Sequence, residues 1–389
     1  MGVKPDGSDY IDYKTLLADS TEKEHHQQAE NYFANITDPE YLIAKPFYTY
    51  QGASSLLGNF AALLHGLDLY PGSDVLDFAA GTGWTSRIFA QMGCNVTITD
   101  VSQSALLIAQ RMLDTYPLIG SFGKVKFLRS EHMKTLQAGS FDRITIMDGF
   151  HHIVDQLQLL KDFYRLLRPG GCVVMSEPGR AHSLTPQAQS EMRQFGVLER
   201  DFLVEEIEVM AKSVGFSESS YAVFNPIPTF FPLHHFTSIF DEHSKTVSKL
   251  TENYMQNHNL VRLRKPGEEI VDSRRGIGLS ATLIISDFGD TYRISILNSG
   301  TSAWLPSGTL VGSVNLGISG VEETGLIRLL GERVLSISDK IVKPGESTSI
   351  EVSKRDLGSL GPTIELDLVA EKVVWFGQLT GSVKRISLS

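Results

Sequence analysis

Cysteine is scarce in this 389-residue chain: Cys94 and Cys172 are the whole complement. Two isolated thiols build neither a disulfide framework nor a metal-ligand spacing. They read as reduced, partly buried side chains, which fits a cytoplasmic setting. Basic charge is also in short supply. Lys and Arg number 35 against 45 Asp and Glu, a net charge of −10. A protein that grips nucleic acid over a broad basic face needs the reverse balance, so no nucleic-acid partner is expected. No apolar run reaches the ~18 residues of a membrane span. The first stretch, Met1 to Tyr13, is polar and acidic and lacks the basic and apolar regions of a secretory signal. Internal repeats and low-complexity tracts are missing too.

What is present is an ordinary globular composition, 42% hydrophobic and 21% charged. The length suggests two or three domains. Residues 14 to 70 carry helical spacing, clearest at Leu56, Leu57, Phe60, Leu63, Leu64 and Leu67, until Pro71-Gly72 breaks it. From residue 73 to 225 short apolar strands alternate with helices. The strands are Val75–Phe78, Val96–Thr99, Val125–Leu128, Arg143–Met147 and Cys172–Met175. Helices are expected from Thr85 to Met92, from Ser102 onward, from Gln156 to Leu167 and from Val204 to Val214, the last ending at Gly215. This alternation predicts a mostly parallel, doubly wound α/β sheet covered on both faces. Residues 226–277, with Pro226, Pro228, Pro232 and a helix around Glu242 to Gln256, read as a connecting or cap region. Residues 278–389 turn β-rich, with Gly, Ser, Asn and Pro every ten residues or so, and predict an immunoglobulin-like β-sandwich. Trp304 and Trp375 there are read as core residues, with stacking on sugars as the rarer alternative.

The chemistry-bearing segment is Val75-Leu76-Asp77-Phe78-Ala79-Ala80-Gly81-Thr82-Gly83. It is an apolar strand, an acidic residue, and a small-residue turn entering a helix. Small residues let backbone approach a ligand closely, and doubly wound sheets bind ligands at the carboxyl ends of their strands. Asp100 ends the second strand, where a carboxylate can accept two hydrogen bonds from ribose hydroxyls. The turn lacks the full G-x-G-x-x-G, which makes dinucleotide binding the less natural reading.

These residues resemble the class I S-adenosylmethionine (SAM)-dependent methyltransferases, whose fold is Rossmann-like. Asp77, Gly81 and Gly83 match the family's first motif, and Ala79 stands where its first glycine would be. Asp100 and Val101 match its ribose-binding strand end. Ser130, Glu131 and His132 match the place of an acidic residue near the adenine. Phe141-Asp142, Leu167 to Gly171 and Phe202 to Phe216 supply further landmarks. The resemblance implies SAM as cofactor, held by Asp77, Ala79, Gly81, Thr82, Gly83, Asp100, Val101, Ser130, Glu131, His132, Asp148 and Gly149.

Methyl transfer to a hydroxyl benefits from a base. Met147-Asp148-Gly149-Phe150-His151-His152 follows the fourth strand, and His151 or His152 is the candidate catalytic group; a histidine that merely shapes the pocket is the competing reading. Glu177 stands at the pocket edge, open between substrate contact and turn capping. Phe47, Tyr48 and Tyr50 either close over the site or pack the cap. His25-His26 reads as a solvated helix face, and no metal site is expected. The Asn298-Ser299-Gly300, Pro344-Gly345-Glu346 and Trp375-Phe376 series resembles β-sandwich domains of bacterial surface-polysaccharide proteins, which implies a glycan acceptor methylated on oxygen. The rivals are a methyltransferase of a quinone or secondary metabolite, and an inactive SAM- or glycan-binding assembly protein. A homodimer is left open.

Overall fold

The computed structural model describes residues 2–3, 9–118, 123–226, 228–235, 243–269, 271–321, 327–381 and 383–387. The chain divides into two compact units, one of residues 1–69 and 73–269, the other of residues 70–72 and 270–389.

After a short antiparallel pairing of Gly2–Val3 with Asp9–Tyr10, the first unit continues with the helices α1 (Tyr13–Asp19), α2 (Glu22–Ala34), α3 (Glu40–Ile43) and α4 (Tyr50–Leu67). A capping box starts α2: the Glu24 N–H donates to the Thr21 hydroxyl, and the Thr21 N–H donates to the Glu24 carboxylate at 2.7 Å. Then come β1 (Asp74–Phe78), α5 (Trp84–Gln91), β2 (Asn95–Asp100), α6 (Gln103–Thr115), β3 (Lys124–Arg129), β4 (Phe141–Met147), α7 (Gln156–Leu166) and β5 (Leu167–Pro178). The unit closes with α8 (Pro186–Phe195), α9 (Val204–Val214), β6 (Glu218–Tyr221), α10 (Ser244–Asn257) and β7 (His258–Arg264). Glu242, the expected start of α10, lies outside the described residues.

The seven strands line up as β3-β2-β1-β4-β5-β7-β6, with β1 to β5 parallel and β7 antiparallel to both β5 and β6. A parallel sheet flanked by helices on both faces buries its central strands on both faces, and Val75, Leu76, Ile144, Ile146, Val173 and Val174 are accordingly inaccessible. One core cluster packs α7 and α9 on one face; the other packs α4, α5 and α6. Residues 226–277 do more than connect, since β7 is a strand of the sheet, paired with β5 from Cys172–Arg264 to Pro178–His258.

The second unit is a β-sandwich. One sheet is β8 (Ala281–Asp287), β9 (Thr291–Asn298) and β12 (Ser347–Ser353); the other contains β10 (Val314–Val321), β11 (Ile327–Ser336), β13 (Thr363–Ala370), β14 (Val374–Trp375) and β15 (Lys384–Ser387). Ile294 and Ile296 of β9 meet Leu316, Ile318, Leu366 and Leu368 in one apolar cluster. Trp304 is fully buried, edge-on to Phe376 at 5.6 Å, and the Trp375 ring lies on the bare backbone of Gly317. Both indoles pack against the sandwich.

Candidate functional site

The carboxyl ends of β1, β2 and β4 open into a cavity of about 870 Å³, roofed by α2 and the loop after α3. The turn after β1 brings Ala79, Ala80, Gly81 and Thr82 to its wall. The ends of β2 and β3 bring Asp100, Val101, Ser130 and Glu131, and the end of β4 brings Asp148, Gly149, His151 and His152. Three predicted residues do not line it. The Asp77 carboxylate lies behind the turn, accepting hydrogen bonds from the Thr85 and Ser86 hydroxyls at 2.6 and 2.5 Å, so it ties α5 to β1. Gly83 packs on α6, where a β-carbon would come within 3.0 Å of Ala109. His132 points outward and sits 3.5 Å from Glu131.

Asp100 is buried at the wall. Its carboxylate accepts from the Gly81 N–H at 2.9 Å and the Ser102 N–H at 2.8 Å. Burial pushes its carboxyl up to about 6 despite these bonds. Burial does the same to Asp77, also to about 6, against the Ser86 and Thr85 hydroxyls. Glu30 on α2 accepts from the Ser102 and Ser104 hydroxyls at 2.8 and 2.5 Å, which fixes the roof to α6.

The opposite end of the cavity is a histidine–carboxylate cluster. Glu177, fully buried at the end of β5, accepts from the backbone N–H groups of Gly149, Phe150 and His151 and faces His151 Nδ1 at 2.7 Å. It therefore caps the turn after β4. Glu199, 2% exposed, lies 2.7 Å from His182 Nε2 and 3.4 Å from His151 Nε2, while its other oxygen is 3.6 Å from His152 Nδ1. Burial opposes charge on His151, yet the two carboxylates prevail and lift it to about 10. His151 is thus an imidazolium at neutral pH. Burial lowers His152, and the charge of His151 lowers it further. The His152 Nδ1 lies 2.6 Å from the Leu198 carbonyl oxygen. A carbonyl only accepts, so this nitrogen carries the proton and Nε2 keeps its lone pair. Donor atoms of His151, His152 and Glu199 fall within 4.8 Å of one another, a grouping that their sequence positions did not reveal. His182, Glu191 and Glu199 were not singled out from the sequence for the same reason.

Other expectations fared unevenly. His25 is buried, not solvated, and lines the cavity with His26. Tyr48 lines the cavity, whereas Phe47 is 72% exposed and points elsewhere. Among the described residues, no helix is long and apolar enough to cross a membrane.

The family described as methyltransferase domain matches residues 76–175, about a quarter of the chain. A demethylmenaquinone methyltransferase of Parafrankia sp. is 30% identical over 172 residues, covering 41% of this chain and 64% of the relative. A ubiquinone biosynthesis O-methyltransferase of Pseudomonas aeruginosa is 31% identical over 110 residues, covering 28% of this chain and 46% of the relative. The chain thus spans less than two thirds of these relatives' length. Solved structures with a similar fold include a Haemonchus contortus phosphoethanolamine N-methyltransferase in complex with S-adenosylhomocysteine (TM-score 0.42, 22% identity, 66% of this chain and 61% of that one). A SAM-dependent methyltransferase of Mesorhizobium loti is another (TM-score 0.41, 18% identity, 54% and 98%). The cofactor of the matched domain is SAM.

Proposed function

We propose that the chain is a SAM-dependent O-methyltransferase acting on a sugar hydroxyl, in a bacterial surface glycan or its precursor. One observation carries the oxygen acceptor: a neutral histidine with its free nitrogen available stands beside a fixed imidazolium at the cavity end away from Asp100. The cofactor supplies an electrophilic methyl on a sulfonium. Asp100 holds the ribose hydroxyls, Glu131 lies on the adenine side, and Ala79, Gly81, Thr82 and Gly149 give the backbone approach. His152 Nε2 would take the proton of the acceptor hydroxyl, so that its oxygen can receive the methyl group that the cofactor would supply. His151, clamped by Glu177 and Glu199, fixes the turn that carries His152.

The sugar rests on the resemblance of the sandwich to surface-polysaccharide domains. The relatives' names favour a phenolic quinone precursor as the second reading. The test is release of S-adenosylhomocysteine against a panel of sugars and phenols, with His152→Ala as control. Turnover on sugars that falls about 10²- to 10⁴-fold in the variant is the expected result. The rate should rise with pH through a value below the ordinary 6.5 of histidine and then level off, since only neutral His152 accepts a proton. Turnover confined to phenols would move the acceptor to the quinone class. Cofactor binding without turnover on either would favour the inactive assembly protein.

A further inference from the structure

The end of the cavity away from Asp100 gathers donors of a different kind. His151 lies in the turn after β4, His182 between β5 and α8, and Glu199 between α8 and α9, so three separate stretches of chain meet there. One Glu199 oxygen lies 2.7 Å from His182 Nε2 and 3.4 Å from His151 Nε2. The two imidazoles stand edge to face, 4.8 Å between ring centres. Both histidines thus aim the same ring nitrogen at one oxygen. In a tetrahedral metal site with bonds of ~2.0–2.1 Å, neighbouring donors stand about 3.3 Å apart. His151 and Glu199 already have that spacing, and His182 has to withdraw by roughly half an ångström to reach it.

Three further features favour a cation over a plain hydrogen-bonded cluster. The second Glu199 oxygen is buried and accepts no hydrogen bond among the described residues. A buried acceptor left in that state is costly. Behind His151, Glu177 faces Nδ1 at 2.7 Å and is itself fixed by three backbone N–H groups. A carboxylate at one ring nitrogen orients the imidazole and leaves the other nitrogen to ligate. Glu191 brings another carboxyl close to Glu199, and two carboxyls this near disfavour each other's charge unless a cation shares them.

We propose that His151 Nε2, His182 Nε2 and a Glu199 oxygen bind one divalent transition-metal ion of the zinc kind. Two imidazoles and a carboxylate suit zinc or cobalt, whereas magnesium prefers a shell of oxygens. The ion takes the place of the proton on His151 Nε2, so a positive charge still stands beside His152. His152 falls in the same grouping of donor atoms, but its Nδ1 proton is committed to the Leu198 carbonyl and it is not a ligand. All three ligands line the cavity, and three protein ligands leave a fourth position for an oxygen from it. In the proposed reaction that oxygen is the acceptor's. This role rests on the proposed methyl transfer; the binding of the ion does not.

The tag-free full chain is stripped with a chelator and titrated with Co²⁺ alone, then with Zn²⁺. One equivalent of Co²⁺ should bind with the visible bands of a four- or five-coordinate ion. Zn²⁺ should displace it, and excess Mg²⁺ should not. Glu199→Gln and His182→Ala should each abolish the bands and weaken Zn²⁺ at least about tenfold, while His152→Ala should keep both. Circular dichroism melts check folding, and the partly exposed His182 keeps the test open where the Glu199 variant fails to fold. A wild-type chain without the bands overturns the inference. Zn²⁺ affinity unchanged in folded His182→Ala overturns it too, by placing the ion on other side chains, as does loss of the ion in folded His152→Ala. Displacement by Mg²⁺ overturns the class of metal. These readouts need neither cofactor nor acceptor. A chain that binds S-adenosylhomocysteine but no Co²⁺ loses this inference alone, and one that binds Co²⁺ but transfers no methyl group loses only the reaction.

Discussion

Ala79 adopts φ 51°, in the left-handed region where an L side chain costs about 1–2 kcal/mol. The substitution for glycine is accommodated from across the cavity. A β-carbon on Gly149 would stand 2.8 Å from the Ala79 methyl, so Gly149 has to stay bare while Ala79 carries one. Gly149→Ala should therefore abolish measurable S-adenosylhomocysteine binding, and adding Ala79→Gly should restore much of it. Ile146 Cγ1, at 3.2 Å, is then the remaining close contact and belongs to a movable side chain. Alone, Ala79→Gly should change stability by less than about 1 kcal/mol, because relief of strain is offset by the freedom of glycine in the unfolded chain. Normal binding by the Gly149→Ala single variant would show that the turn after β4 yields, and that the two positions are independent. The sequence showed Ala79 as a departure but not its compensation, because the two residues lie 70 positions apart and meet only once β1 and β4 pair.

At the level of elements, the strands that hydrogen-bond in parallel were legible because burial on both faces leaves near-continuous apolar runs, as in Val75–Phe78 and Arg143–Met147. β7 was not. Its charged Arg262 and Arg264 pair with Glu218 of β6, and α10 runs into it at His258 without a glycine or proline to mark the change. The carboxylate at the end of β2 was legible, but its titration was not, since that depends on how tightly the chain closes around it. Asp100 is raised to about 6, so it is mostly protonated at pH 5 and mostly ionised at pH 7. Hydroxyls donate to the ionised form. Affinity for S-adenosylhomocysteine should therefore climb as pH rises through about 6 and flatten above it. Asp100→Asn should bind at least about tenfold more weakly at pH 7.5 and lose most of this climb. An equally steep climb in the variant would transfer the titration to another group of the cavity.

Taken as a whole molecule, the chain folds as two units with separate apolar clusters, and every residue that lines the cavity belongs to the first. A ligand that binds only the folded form stabilises the unit that holds it by about 2.7 kcal/mol at a hundredfold excess over Kd. For a unit of this size that is about 5–10 °C in Tm. Calorimetric melting should show two transitions, of which S-adenosylhomocysteine raises one by this amount and leaves the other in place. Trp304→Ala removes a fully buried ring from the sandwich, a loss of about 3–5 kcal/mol. It should lower the ligand-insensitive transition alone and leave the Kd for S-adenosylhomocysteine unchanged. A single transition that moves with both the ligand and Trp304→Ala would mean that the two units unfold as one cooperative body. The sandwich would then contribute to the stability of the cofactor site.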